Sequence, residues 1–185
     1  MPKIKPIVTK KFRELLLYIA AKSADDPRFG AVKLNKILYY SDFAAYRQLG
    51  HSITEDAYQH LAEGPAPVHL LTAREELIVE GSARLEERSY FNRPQVRLAA
   101  ERPADASVFS GEEIAIVDEV ISALAEFNGR QVSDLSHLEF GVKTTDLNEV
   151  IPYYTAWIGS EPLTPEQVQT GLEVAARHGF TAPAS

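Results

Sequence analysis

The segment KLNKILYYSDFAAY, Lys33 to Tyr46, places the strongest constraint on the fold. Wound at about 100° per residue, it puts Leu34, Ile37, Leu38, Ser41 and Ala45 on one face, as an amphipathic helix packed on a core requires. Tyr39, Phe43 and Tyr46 stand on the opposite side, with Lys36 and Tyr40 beside them. A helix that is apolar around most of its circumference belongs inside a domain or against a partner. Two readings stay open: a central helix buried on both sides, or one whose tyrosines are rigid anchors for another molecule. The expectation is mixed, with Tyr39 and Phe43 inside and Tyr40 near a rim with Lys33 and Lys36. The lysines would be solvated, pair with Glu63 or Asp42, or meet an acidic partner.

The flanking sequence places this helix among others. Phe12, Leu15, Leu16, Ile19 and Ala20 recur at helical spacing over about residues 9–23, and DDPRFG breaks that helix. The second helix spans about 31–48, with Gly50 in a stop position. Alternation over 53–62 allows a brief strand before EGPAP, which is expected to turn the chain and open a third helix. Val68, Leu71, Leu77 and Ile78 would then form that helix's core stripe, up to Gly81. The period next changes to two, with Ala83 and Leu85, then Val96 and Leu98, around an FNRP turn: a β-hairpin. Ser110 and Glu113 have capping-box spacing for a long helix, about 114–127, and RQVSDLSHL continues as a short one. Thr164, Pro165 and Gln167 open a final helix that stops near Gly179, followed by a loose tail, TAPAS. Residues 142–160 show no clear period. These elements predict a single, mainly helical α+β domain, with a winged-helix-like helix-helix-helix-hairpin order around the central helix.

Charge narrows the function. The chain has a net charge of -7, but residues 1–50 carry ten Lys/Arg against four Asp/Glu. The remainder is strongly acidic, which argues against general binding of phosphate backbones. A third helix with Glu75, Glu76 and Glu80 is a poor reader of DNA, while Arg84, Arg88, Arg93 and Arg97 make the hairpin the better-supplied element. With no cysteine there is neither a disulfide nor a thiolate metal site. No apolar run has the ~20 residues of a membrane span, and no secretory signal is legible, so a soluble cytoplasmic protein is expected. His60, His69 and His137 lack metal-ligand spacing, and no G-x-S-x-G, G-x-G-x-x-G or Walker loop occurs. No catalytic residue, metal or cofactor is assigned.

Taken together, KLNKILYYSD, the Tyr58 segment ending in Gly64-Pro65 and the distal VSDLSHLE resemble the Panacea domain, the SocA-like antitoxin family. The correspondence falls on Lys33, Leu34, Lys36, Leu38, Tyr39, Tyr40, Gly50, Tyr58, Gly64, Pro65 and His137. Family members commonly carry tryptophan before Gly-Pro and after the histidine, where this chain reads AYQHLAEGP and HLEFGV. The resemblance implies a Panacea domain over 1–140; the segment 141–185, with Trp157 beside Tyr153 and Tyr154 and a capped final helix, is expected to be a C-terminal helical extension packed on it or a self-association surface. It also implies an antitoxin, bacterial or from a prophage, that neutralises a cognate toxin by direct contact. At least one type of member acts as an adaptor that delivers its toxin to a AAA+ protease. Lys33, Lys36, Tyr40, Tyr58, Glu63, Gly64, Pro65 and His137 are the partner-binding candidates. The alternative is a winged-helix-like DNA-binding regulator of its own operon.

Overall fold

In the computed structural model, which describes residues 8–159 and 162–179, the central helix is where its composition requires. Helix α1 (Lys10–Lys22) starts at Thr9, whose hydroxyl accepts from the Phe12 N–H. It is followed by α2 (Ala31–Leu49), closed by Gly50 at φ 77°, a left-handed conformation that glycine adopts freely. Strands β1 (Tyr58–Leu61) and β2 (Gly64–Pro67) precede α3 (Leu70–Val79). The long hairpin β3 (Ala83–Tyr90) and β4 (Arg93–Ala100) follows, then α4 (Gly111–Ala123), α5 (Gly129–Ser136) and α6 (Phe140–Lys143). A two-residue strand β5 (Val150–Ile151), a 3-10 turn (Tyr153–Trp157) and α7 (Pro165–Arg177) complete the described chain. The basic opening and the TAPAS tail fall largely or wholly outside the described residues.

Helix α2 packs against α1, α4, α5, α7, β2, β4 and the 3-10 turn. Its Leu34, Ile37 and Leu38 share a core with Leu15, Leu16 and Ile19 of α1, Ile116 and Val117 of α4 and Val132 of α5. Three capping boxes fix helix starts: Ser110 with Glu113, Asn128 with Gln131, and Thr164 with Gln167. Asn128 caps the start of α5 and Gly129 is its first residue.

Two expectations are corrected. EGPAP does not start a helix: Gly64–Pro67 is the second arm of a small hairpin, with Tyr58 opposite Pro67 and His60 opposite Pro65. The sheet order β2-β1-β5 puts β2 at an edge, where prolines without an N–H are tolerated. Helix α3 therefore begins later, with the His69 N–H held by Asp56 Oδ2 at 2.9 Å. Its core stripe is Leu70, Ala73 and Leu77, while Leu71 and Val68 are exposed. The inserted strands also break the winged-helix-like order, because a hairpin separates α2 from α3.

Candidate functional site

The partner-binding candidates divide by depth. Tyr40 and His137 are half-buried and Glu63 is exposed, whereas Lys33, Lys36, Tyr58, Gly64 and Pro65 are buried. Five of the eight are therefore interior, which corrects the expectation of a surface built on Lys33 and Lys36. Lys33 Nζ pairs with Asp26 Oδ2 at 2.6 Å and donates to the Ala125 carbonyl at 3.1 Å, rather than meeting Glu63 or Asp42. It ties the loop before α2 to the end of α4.

Lys36 joins two of the sequence motifs. Its Nζ donates to the Pro65 carbonyl at 3.0 Å. Gly64, at φ 89°, lets the hairpin close on this ammonium; a Cβ there would overlap Ser136 Oγ and press on Lys36 Cε at 3.0 Å. Ser133 Oγ donates to the Glu63 carbonyl at 2.8 Å, so α5 grips the same turn. Burial lowers the Lys36 ammonium to about 8 from 10.5, against a weaker opposing pull from the Glu63 carboxylate. Between those two values the unfolded chain holds a proton that the folded chain has released, so this site's contribution to stability rises with pH. Urea unfolding of wild type and Lys36→Met at about pH 7 and about pH 10 checks this. The difference between them should move toward wild type by roughly 2 kcal/mol on going to the higher pH. A pH-independent difference would show that the ammonium is well solvated.

The second interior cluster centres on Asp42, one helical turn beyond Leu38. Its Oδ1 accepts the backbone N–H groups of Ile53 (2.7 Å) and Thr54 (2.9 Å). Its Oδ2 accepts the Tyr58 hydroxyl at 2.8 Å and the Thr54 hydroxyl. The Tyr153 hydroxyl lies 3.5 Å from Oδ2 and donates to the Asp56 carbonyl at 2.5 Å. Asp56 in turn holds His69, whose ring Nδ1 is 2.5 Å from Oδ1. This chain of contacts fixes the loop after α2, the β1 strand and the start of α3. Sequence reading named Asp42 only as a lysine partner; an acid recurring with Leu38 and Ala45 on an apolar stripe was the available signal.

The aromatic back of α2 is covered from within the chain. Tyr39 packs tilted on Phe43 at 4.3 Å between ring centres and Phe43 tilted on Tyr153 at 4.8 Å, Tyr153 stacks on Tyr46 at 5.1 Å, and Tyr46 meets Trp157 at 5.0 Å, again tilted. The Trp157 indole N–H donates to the Arg47 carbonyl at 3.3 Å. Tyr39 and Phe43 are buried and Tyr40 is half-buried, as expected. Tyr40 reaches a cavity of about 370 Å³ whose wall includes Arg47, Glu139 and Thr155. Burial, and secondarily the Glu139 carboxylate, raise the Tyr40 pKa. Its hydroxyl has no partner at hydrogen-bond distance among the described residues.

The histidines do not assemble a metal centre. His60 and His137 stand with ring centres 5.9 Å apart, but no group of three or more His, Cys, Asp or Glu among the described residues could hold an ion. His60 Nδ1 lies 2.9 Å from the Thr145 carbonyl, and His137 is the C-cap of α5. Among the described residues no helix is long and apolar enough to cross a membrane.

Comparison with known families matches residues 34–140 to the model described as antitoxin SocA-like, Panacea domain, more than half of the 185-residue chain. The chain belongs to this family. No curated protein and no solved structure matches it. The Panacea segment runs from α2 to the start of α6, so its Lys36, Asp42, Tyr58, Gly64 and Pro65 lie within the match and inside the molecule. Helix α1 and the strand β5 lie outside the matched segment, yet Leu15, Ile19 and Ile151 belong to the same core.

Proposed function

We propose that this protein is an antitoxin that neutralises a cognate toxin by direct, stoichiometric binding in the cytoplasm. The observation that carries this reading is membership of the SocA-like Panacea family over residues 34–140. The interior placement of Lys36, Tyr58 and Gly64-Pro65, which carry the resemblance, is in keeping with it. With Asp42 they hold a scaffold together, which leaves the exposed side chains for the partner. A binder works by complementarity at its surface, with a few anchors supplying most of the energy. No turnover chemistry is part of the proposal.

The test is co-expression with the neighbouring reading frame. A product that arrests growth alone, is tolerated with this protein and co-purifies with it in equimolar amount supports the reading. A harmless neighbour that does not bind removes it. Delivery to a AAA+ protease would add a shortened toxin half-life, restored in a protease-deficient strain. The DNA-binding alternative draws less support, because α3 presents Glu75, Glu76 and Glu80 and the helix-helix-helix order is interrupted.

A further inference from the structure

The β3–β4 hairpin extends beyond what the core requires. Its register places Leu85 and Leu98, then Glu87 and Val96, then Ser89 and Pro94 on one face. Along that face Leu98 is 3% exposed, Val96 is 40% exposed, and Phe91 at the tip is 83% exposed. The inner half is anchored from the other face. Arg97 donates to the carbonyls of Ser23 (2.7 Å) and Ala24 (3.0 Å), and the Gln95 side chain lies against Gly30. Beyond Gln95 neither strand has a buried residue, and a ribbon of two strands gains little stability by itself.

Phe91 is the residue that folding explains least. Phe91 and Asn92 take φ values of 48° and 58°, the left-handed pair of a tight hairpin turn in which asparagine and glycine are favoured. A phenylalanine there gains nothing from burial and is disfavoured by its backbone conformation. Its ring is braced by Tyr90, edge-on at 4.7 Å. The chemistry around it is basic in an acidic protein: residues 88–100 contain three arginines and no acid, against a net charge of -7. Arg97 is spent on the α1 end and Arg88 pairs with Glu86. Arg93, across from Tyr90, enters no ion pair among the described residues. The edges of the ribbon are poor templates for another strand, since β3 carries Arg84, Glu86, Glu87 and Arg88 and β4 carries Pro94, which has no N–H to offer.

Resting on the antitoxin reading, we infer that the Tyr90–Arg93 tip is the element that enters the toxin. Phe91 is the anchor for an apolar pocket, and Arg93 meets a carboxylate on its rim. Rigid aromatic and arginine side chains are the residue types that dominate such contacts, and the opposite charge speeds encounter. Nucleic acid is the weaker fit, because Glu86 and Glu87 stand three to four residues back along β3 from Tyr90, and the chain as a whole carries a net charge of -7.

The experiment uses the full-length protein and the purified product of the neighbouring reading frame, with affinity and thermal stability measured for each variant. Phe91→Gly removes the ring and supplies a residue suited to the backbone, so its melting temperature should equal or exceed wild type. Its affinity should fall about 30-fold or more. Arg93→Glu should weaken the complex by about tenfold or more, with a smaller dependence on salt. Wild-type affinity in both variants would overturn the inference while leaving the antitoxin reading intact. A wild-type protein that does not bind the neighbour would overturn that reading and this inference with it. Two other results would also overturn the tip assignment: wild-type dimers that Phe91→Gly converts to monomers, or salt-sensitive promoter binding that Arg93→Glu abolishes.

Discussion

Asp42→Ala should cost about 4 kcal/mol of folding stability, because it strands the backbone N–H groups of Ile53 and Thr54 in the interior at roughly 1 to 3 kcal/mol each. The Tyr58 and Thr54 hydroxyls would also lose their acceptor. Asp42→Asn should cost about half as much or less. An amide oxygen can still accept the two N–H groups, and the hydroxyls can turn to accept from its nitrogen. Burial raises the Asp42 carboxyl above the ordinary 3.8, against the opposing pull of Thr54, Tyr58 and Ile53. In the window just above 3.8 the folded chain keeps a proton that the unfolded chain has lost, so this group's contribution falls as pH rises through its folded pKa. Asn, which mimics the protonated form, should therefore lose stability relative to wild type toward acid pH and gain relative to it above that window. Chemical denaturation of both variants decides the point. Equal losses for Ala and Asn would mean that charge, and not the set of donors, is what the cage requires.

The contrast between Asp42 and Lys36 explains what sequence could and could not give. Periodicity identified α1, α2, the β3–β4 hairpin, the Ser110 and Thr164 caps and the mainly helical α+β class, since those rest on spacing within one element. The expected division of Tyr39 and Phe43 from Tyr40 holds as well, although the helical period alone puts Phe43 farthest from the core face. It did not show what the lysines touch. The acceptor of Lys36 is the Pro65 backbone carbonyl, and no side-chain type at that position announces a carbonyl. It missed the β2 strand because Pro65 and Pro67 argue for a turn, and only an edge position excuses them. The aromatic cover of α2 was illegible for a different reason. Residues 153–157 form a 3-10 turn with no amphipathic period of its own, and Tyr153 and Trp157 are placed by what they meet on a helix more than a hundred residues earlier. The residue types of the family motif were visible. Their depth was not, Asp42 beside the apolar stripe excepted, because a lysine on the far side of a helix reads the same in one dimension whether a neighbouring element covers it or not.

That cover leads to the largest effect expected of a change in this chain. Removing residues 142–185 should abolish cooperative folding, although the cut lies after the segment that defines the Panacea match. Strand β5 pairs with β1 at Tyr58 and Gln59, and the 3-10 turn lays Tyr153 on Phe43 and Tyr46. Truncating one buried aromatic to alanine costs roughly 3 to 5 kcal/mol. Losing Val142, Ile151 and Tyr153 together, with the β5 hydrogen bonds, therefore approaches the whole stability of a domain, about 5 to 15 kcal/mol. The deletion would also open Tyr39, Phe43 and Tyr58 to water, an apolar patch of the kind that drives association. Removing residues 162–185 is the informative control. It keeps the 3-10 turn and takes away α7, in which Val174 is the one buried residue. That shorter deletion should leave a folded protein with a melting transition lowered by several degrees, as expected for a loss of roughly 1 to 2 kcal/mol. A monomeric 1–141 fragment with a sharp melting transition would show that the aromatic face of α2 can stand without its cover, and that residues 142–185 are an accessory rather than part of the core.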